Sequence, residues 1–190
     1  PKAPIIAIPL AAAVPLRYAV GSVQKSGCTT TNPTTATQNA MSTGTKRQHA
    51  QALADAEAFK DLFPASTYQR WEFAGSLRRK RPEVGDVEHV VIPAFGDIDR
   101  GGGLFPSMER VNLLWFHLDT LVSGSIVDKH WYGGAGAPHR WGNLYRGCDF
   151  RGFTHEIFTA TPENFGSIFL IRTGPADYSR RVVTALKEGG

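Results

Sequence analysis

From about residue 46 onward, hydrophobic side chains recur at two different periods, which predict where the chain forms helices and where it forms strands. Apolar positions three or four apart indicate helices at 46–63, 106–122, 163–172 and 176–187. Positions two apart indicate strands at 68–74, 84–92, 125–129 and 152–159. Because helices and strands mix without strict alternation, the pattern predicts an α+β fold with a mixed sheet.

The two longest predicted helices each have an apolar face that should pack against the sheet. In the first helix, Thr45 can cap the start, and Pro64 ends the pattern. Its apolar positions are Ala50, Leu53, Ala54, Ala58 and Leu62. Those of the second helix are Met108, Val111, Leu114, Trp115, Leu118 and Leu121.

Residues 1–45 have no such periodic face. Pro4, Pro9 and Pro15 interrupt an apolar run, and a segment rich in Thr, Asn and Ser follows as far as Thr45. This composition predicts an arm or linker rather than a folded domain. The apolar run is shorter than a membrane span, although it also has the look of a short secretory signal.

Composition and charge narrow the class of protein. A chain of 190 residues with 42% hydrophobic side chains can bury a core and is not disordered throughout. The net charge of +4 is too small to indicate a polyanionic partner, and Lys2, Arg17 and Lys25 place most of it in the arm. Cys28 and Cys148 have no zinc-site or disulfide-framework spacing, so we expect two reduced thiols in a cytoplasmic protein.

The strand predicted at 84–92 has an unusual pair of acids. Alternation places Asp86 and Glu88 on the same face, while His89 points to the opposite one. Both faces are otherwise apolar, so a central strand is expected, and buried carboxylates there need a cation such as arginine or Mg²⁺. The alternative is an exposed edge strand with two solvated acids. His155, beside Glu156, is likewise expected to be a buried, hydrogen-bonded histidine rather than a metal ligand.

A possible phosphate site precedes these acids. Gly75-Ser76 opens a turn after the strand at 68–74 and is followed by a basic run, Arg78 to Arg81. Backbone N–H groups and a hydroxyl at such a turn can bind phosphate, and arginine adds a bidentate charge. Lys80 and Arg81 are expected to be solvated.

These motifs together resemble a known family. Gly75-Ser76, followed after nine residues by Asp86 and Glu88, is similar to the signature of the DNA polymerase beta (family X) nucleotidyltransferase superfamily. The strand around Glu156 and the run Arg172-Thr173-Gly174 resemble that family's third-carboxylate strand and its Thr-Gly turn. The resemblance covers about residues 46–188 and is strongest to short phage and bacterial members.

The resemblance implies a nucleotidyltransferase palm domain over 46–175, with a mixed sheet flanked by helices, and a truncated thumb-like helix over 176–190. It implies transfer of a nucleotide from a nucleoside triphosphate to the 3′-hydroxyl of a DNA or RNA primer, with release of pyrophosphate, in a bacterial or host cytoplasm. Asp86, Glu88 and Glu156 would be the catalytic residues and would bind two Mg²⁺ ions, with Mn²⁺ as a substitute. The implied nucleotide-binding residues are Gly75, Ser76, Arg79, Gly85, Arg172, Thr173, Gly174, Ser179 and Arg180.

Departures from the family pattern leave other functions open. Glu156 replaces the usual Asp, Arg172 replaces an aromatic residue near the sugar, and the thumb is short. Transfer to a protein or small-molecule acceptor is one alternative, and a catalytically weak nucleotide- or nucleic-acid-binding module is another. For Ser179 and Arg180, an ordinary polar helix surface is an equally good interpretation.

A basic and aromatic segment between residues 129 and 151 is a weaker candidate for contact with nucleic acid. Side chains of this kind can bind single strands by charge and by stacking. The residues proposed for it are Arg140, Trp141, Tyr145 and Arg146. The alternative is that these aromatic side chains pack locally in a two-stranded insertion.

Overall fold

The computed structural model describes residues 46–101, 107–133 and 139–188. The predicted arm, the Thr45 cap and Cys28 lie outside these ranges, as do Gly102, Gly103 and the start proposed for the second helix at Pro106.

The described chain forms nine strands and five helices. The strands are β1 (Arg47–Gln48), β2 (Tyr68–Phe73), β3 (Glu83–Val84), β4 (Val87–Pro93), β5 (Phe95–Asp99), β6 (Met108–Asn112), β7 (Asp128–Lys129), β8 (Tyr145–Phe150) and β9 (Phe153–Thr159). The helices are α1 (His49–Lys60), α2 (Gly75–Arg78), α3 (Leu113–Ser123), α4 (Phe165–Thr173) and α5 (Ala176–Glu188). None of these helices has the length and apolar character needed to cross a bilayer.

The main sheet has five strands in the order β2-β4-β9-β8-β7. The β4–β9 pair is parallel and the other three pairs are antiparallel, which confirms the predicted α+β class with a mixed sheet. The strand that carries Glu88 is therefore an interior strand, as its buried pattern indicated. Two short two-stranded sheets, β1–β3 and β5–β6, complete the strand pairing.

The sheet buries a different cluster on each face. On one face, Phe59 of α1 and Leu114 of α3 pack with Val91, Ile157 and Cys148. Cys148 is a free, fully buried thiol, in agreement with the expectation for that residue.

On the other face, α4 covers the far half of the central strands. The cluster there consists of Ala74, Val90, Ile92, Phe158, Ala160 and Phe165. The near half of this face, beside α2, is where the acids lie.

The face that α1 buries differs from the predicted one. Ala50 and Ala54 are exposed, and the buried positions are Ala52, Asp55, Ala56 and Phe59. Asp55 is buried because its carboxylate accepts a hydrogen bond from, and pairs with, the Arg47 guanidinium on β1. Because Asp55 is a charged residue at a buried position, the hydrophobic pattern did not identify the buried face of α1.

The second long helix begins later than predicted. Met108 and Val111 lie on β6, which pairs with β5, and α3 starts only after Asn112. The Asn112 side chain accepts a hydrogen bond from the backbone N–H of Trp115 at 3.1 Å and so caps the helix. The predicted face is confirmed from that point on, since Leu114, Trp115, Leu118 and Leu121 are buried.

Candidate functional site

Three carboxylates lie together on the face of the sheet beside α2. Glu88 on β4 and Glu156 on β9 are directly paired in the parallel register. Asp86 lies in the bend between β3 and β4, two residues before Glu88. The predicted single strand at 84–92 is broken here, so Asp86 is presented by a bend rather than by the ladder.

The acids raise one another's proton affinity. Burial raises the pKa of Glu88 to about 7, and the nearby charges of Asp86 and Glu156 add to the effect. The pKa of Asp86 is also raised, first by burial and then by Glu156. Arg79 opposes the shift at both residues because it lies close enough to favour the ionised forms. The site therefore concentrates negative charge where water solvates it poorly.

Gly75 makes room for one of these carboxylates. Its φ is +59°, and a Cβ built there would lie 2.0 Å from Oε2 of Glu88. Both the backbone conformation and the space thus require glycine. Gly85 differs, because it is exposed and a Cβ there would meet no atom within 4 Å.

Two hydroxyls near the acids are buried without a partner in the part of the chain that the structure describes. They are Ser76 Oγ on α2 and Thr173 Oγ1 at the end of α4. Leaving a buried hydroxyl without a hydrogen bond costs about 1–3 kcal/mol of stability. A bound ligand is the kind of partner that would supply the missing hydrogen bond. Both positions were predicted as nucleotide contacts.

Arg79 joins the two segments that carry these hydroxyls. Its Nη1 donates hydrogen bonds to the carbonyl oxygens of Thr173 and of Gly174, the latter at 3.0 Å. Arg79 is exposed and remains near Asp86 and Glu88. It therefore holds the Gly75-Ser76 turn and the Thr173-Gly174 turn at one place beside the acids.

Arg172 approaches the acids from α4. Its guanidinium carbon lies 3.7 Å from the centre of the Phe158 ring, and its charge lowers the pKa of Glu88. A cavity of about 460 Å³ opens here, and Glu156 is among the residues that line it. Its other walls include Arg140, Leu144, Tyr145, Phe158, Ile168 and Arg172.

The helix that follows this turn is tied back to α4. A Cβ at Gly174 would lie 2.5 Å from Cδ1 of Tyr178, and Ser179 Oγ donates to the Ile171 carbonyl oxygen at 2.5 Å. Arg180 pairs with Asp177 on its own exposed helix. The polar atoms of Ser179 and Arg180 thus join α5 to α4 and to itself, as the alternative of an ordinary polar helix surface expects, and their contact with nucleotide stays a prediction.

Sequence analysis missed the two tyrosines that hold Glu156. The hydroxyls of Tyr145 and Tyr132 donate to Glu156 Oε1 at 2.6 and 3.0 Å. Burial raises the pKa of both phenols, so they remain donors. Gly147 lies between them in the sheet, where a Cβ would be 2.0 Å from the Tyr132 hydroxyl. Gly147 on β8 pairs with Glu156 on β9. Because β8 was not predicted, the sequence analysis could not place the two tyrosines beside Glu156.

Three of the four residues proposed for contact with nucleic acid make contacts within the protein. Arg146 is 7% exposed, lies between the rings of Trp115 and Trp141, and pairs with Asp119 at 2.8 Å. The Trp141 indole donates to the same carboxylate at 2.9 Å. With Tyr145 directed at Glu156, Arg140 is the one residue of the four that is exposed. Trp141, Tyr145 and Arg146 therefore pack locally, as the alternative interpretation expects, and contact with nucleic acid stays a prediction.

A second polar cluster lies further along the same face. His130 Nδ1 lies 2.8 and 2.9 Å from the two carboxylate oxygens of Asp149. Thr154 Oγ1 donates to Asp149 Oδ1 at 2.9 Å. The His130 ring also contacts the Tyr132 ring edge to face, with 4.5 Å between centroids. Nothing in the sequence spacing pointed to this cluster.

The opposite face of the same strands holds a buried histidine pair, as predicted. The Trp71 indole N–H donates to His89 Nδ1 at 3.0 Å, which fixes the His89 proton on Nε2. That Nε2 lies 3.0 Å from His155 Nδ1, so the two neutral rings form one directed chain. Burial lowers the pKa of His155 to about 3 and that of His89 well below its usual value.

The donor set suits a hard divalent cation, although no ligand cage is preformed. Within the ranges that the structure describes, no three His, Cys, Asp or Glu side chains are already arranged around one metal position. Asp86 and Glu88 nevertheless supply carboxylate oxygens whose raised pKa values a bound cation would reverse. Both tyrosine hydrogen bonds to Glu156 go to Oε1, so Oε2 is the oxygen that can serve a cation.

No known protein family matches the sequence, and no curated protein is significantly similar to it. The function is therefore inferred from the chain's own residues and their geometry.

Proposed function

We propose that the protein is a metal-dependent nucleotidyltransferase with a DNA polymerase beta-like (family X) palm and a thumb-like α5. In this proposal it transfers a nucleotide from a nucleoside triphosphate to a nucleic-acid 3′-hydroxyl and releases pyrophosphate. The observation that carries the proposal is the in-register pair Glu88 and Glu156, with Asp86 beside it, near two buried hydroxyls that have no partner within the described residues.

Asp86, Glu88 and Glu156 would hold the metal ions. Bound Mg²⁺ would activate the acceptor hydroxyl and neutralise charge on the leaving pyrophosphate. The contribution of the protein is to keep these three carboxylates close despite their repulsion. Gly75 gives Glu88 its space, and the tyrosine pair fixes the orientation of Glu156.

The triphosphate would lie on the side of α2 and α4. Ser76 Oγ and Thr173 Oγ1 are the donors there without a described partner, and a phosphate oxygen would satisfy them. Arg79 and Arg172 bring positive charge to the same side, as their effect on Glu88 indicates. Guanidinium groups suit phosphate oxygens because their planar N–H groups bind in a bidentate manner.

A second candidate keeps the chemistry but changes the acceptor to a small molecule. The cavity of about 460 Å³ beside Glu156 favours it, since this volume is typical of small-ligand sites. The loss of Trp141 and Arg146 as exposed groups favours it too, because it removes most of the basic and aromatic surface proposed for a nucleic acid strand.

A transfer assay with α-labelled triphosphates and Mg²⁺ or Mn²⁺ tests both candidates. Primers and pools of small hydroxyl compounds serve as acceptors, and Asp86→Asn is compared with Asp97→Asn, an exposed acid on the β5–β6 hairpin. We expect Asp86→Asn to lose at least about 100-fold in rate, since even weaker perturbation of metal ligands costs 10–100-fold. Asp97→Asn should match the unaltered protein.

The position of the label separates the outcomes. Label on the primer supports the polymerase-like function, and label on a small acceptor supports the second candidate. Triphosphate binding without transfer would indicate a binding module. Absence of both metal and triphosphate binding would contradict the proposal altogether.

A further inference from the structure

The cluster of His130, Asp149 and Thr154 lies on the same face of the sheet as the acids. Glu156 and Thr154 are two apart on β9, so they share that face. Thr154 pairs with Asp149 on β8, and His130 follows β7 and donates its backbone N–H to the Gly147 carbonyl oxygen. The cluster thus continues the row of polar groups from the acids toward the β7 edge.

Its hydrogen bonds define the imidazole proton. An ionised carboxylate only accepts, so His130 Nδ1 carries the hydrogen that points at Asp149. In the neutral ring, Nε2 is then the nitrogen with a lone pair. Thr154 donates to Asp149 as well, which keeps the carboxylate in place. This is the arrangement that holds a histidine ready to accept a proton at Nε2.

The order of the strands shows on which side of the acids His130 lies. Glu88 on β4 packs against α2, whose turn carries the side proposed for the triphosphate. Across the sheet, Glu156 on β9 comes next, then Gly147 on β8, then His130, which directly follows β7 in the chain and is hydrogen-bonded to Gly147. His130 is close enough to Asp86 to lower the pKa of its carboxyl. The acids therefore lie between the triphosphate side and the imidazole.

In-line phosphoryl transfer requires the attacking and leaving oxygens to lie on opposite sides of the phosphorus. If pyrophosphate leaves toward α2 and α4, the acceptor hydroxyl arrives from the β7–β8 side. We propose that His130 is the general base for this hydroxyl and that Asp149 is its positioning residue. This inference rests on the proposed nucleotidyltransferase function.

The step balances as follows. The acceptor O–H bond breaks and its proton passes to His130 Nε2, while the oxygen forms a bond to the α-phosphorus. The bond from the α-phosphorus to the bridging oxygen breaks, and pyrophosphate leaves with the electron pair. Asp149 stabilises the imidazolium that results. His130 Nε2 then releases the proton to solvent before the next turnover.

The charged and titratable groups around His130 come from several elements. Asp149 lies on β8 and Asp86 in the bend before β4. Tyr132 lies against the His130 ring, with the Arg140 guanidinium 4.4 Å from the centre of the Tyr132 ring. Asp149 and Tyr132 are in direct contact with the ring and set its orientation, while Asp86 and Arg140 change only the electrostatic background.

The test measures nucleotide transfer by His130→Gln and Asp149→Asn, with His117→Gln as the matched control. His117 lies on α3 and bonds only to the Leu62 carbonyl oxygen among its described hydrogen bonds. General bases contribute about 10²–10⁴-fold, so His130→Gln should lose that much in kcat with an unchanged KM for triphosphate. Asp149→Asn should lose less, and the rise of rate with pH should flatten in both variants.

A proton-sensitive measurement separates catalysis from structure. Long-range ¹H–¹⁵N NMR of the folded protein should find the His130 proton on Nδ1, and Asp149→Asn should shift it toward Nε2. Added imidazole should partly restore transfer by His130→Ala. A rate within threefold for His130→Gln, or a proton on Nε2 in the unaltered protein, would overturn the assignment while leaving the proposed function intact. Failure of the unaltered protein to transfer to any acceptor would overturn both.

Discussion

The two faces of the β4–β9 pair treat ionisable side chains in opposite ways. Glu88 and Glu156 on one face remain partly open, and burial shifts the Glu88 pKa upward. One residue away along each strand, His89 and His155 are completely buried in an aromatic cluster. The same ladder thus carries mutually repelling carboxylates, which Arg79 and Arg172 offset only in part, on one side and charge-free hydrogen bonding on the other.

The difference shows what each face is built for. The histidine chain runs from Trp71 through His89 to His155 by internal hydrogen bonds, and only His155 Nε2 at its end lacks a partner within the described residues, so the chain serves mainly the stability of the core. The acid face leaves its repulsion and two hydroxyls uncompensated within the described residues, which costs stability. Such a cost is typical of a site whose missing partner is a ligand.

The largest expected effect is on the histidine face. His89→Ala should lower the free energy of unfolding by roughly 4 kcal/mol, because it creates a cavity and leaves the Trp71 indole N–H without its acceptor. Urea unfolding measures the change. His117→Gln provides the control, since it loses only one hydrogen bond to a carbonyl and should cost about 1 kcal/mol. Equal losses in the two variants would mean that the histidine chain is not a main support of the core.

The next effect has the opposite sign and lies on the acid face. Glu88→Gln should stabilise the metal-free protein by about 1–2 kcal/mol at pH 8, because it removes a carboxylate that is ionised there in spite of a pKa of about 7. Mn²⁺ binding, followed by electron paramagnetic resonance, should be lost in the same variant. Glu109→Gln on the exposed β6 should change neither measurement. A less stable Glu88→Gln protein would show that the acids are compensated already.

The last comparison uses the pH dependence of stability, where the contributions of the two faces partly cancel. The lowered histidine pKa values make stability fall as pH drops below about 6.5, by up to ~1.4 kcal/mol per pH unit for each ring. The raised pKa of Glu88 works against this between pH 4.5 and about 7, because there the folded state holds its proton more tightly. Mg²⁺ should suppress only the second contribution. Urea midpoints from pH 5 to 7 should therefore rise more steeply with Mg²⁺ than with a chelator.

Period-two alternation was enough to predict the contrast between the faces. It placed Asp86 and Glu88 together and His89 and His155 opposite, because a buried strand has no other way to present its side chains. The mixed sheet and all four predicted helices followed equally from local patterns, although α3 begins only at Leu113. The spatial pairing of Glu88 with Glu156 came from the resemblance, since no local rule sets a register across so many residues.

The failures have a common cause, which is that a partner distant in sequence decides the outcome. Asp55 is buried only because Arg47 reaches it from β1. Arg146 becomes a core residue only between Trp115 and Trp141. Tyr132 joins the site only because β8 presents Gly147 beside Glu156. In each case a polar or aromatic residue has several compatible environments, and tertiary contacts select one.

Cys148 can report how often the core of this fold opens. Its thiol is fully buried beneath the histidine face, 3.6 Å from the His155 carbonyl oxygen, and burial raises its pKa. A thiolate is the reactive form, so alkylating reagents must wait for the core to open before they can modify this residue. The rate of its modification, read by mass spectrometry of the peptide that contains it, therefore counts core openings directly. Mg²⁺ and triphosphate should lower the rate of Cys148 alkylation only if their binding on the acid face also stabilises the opposite face of the strands.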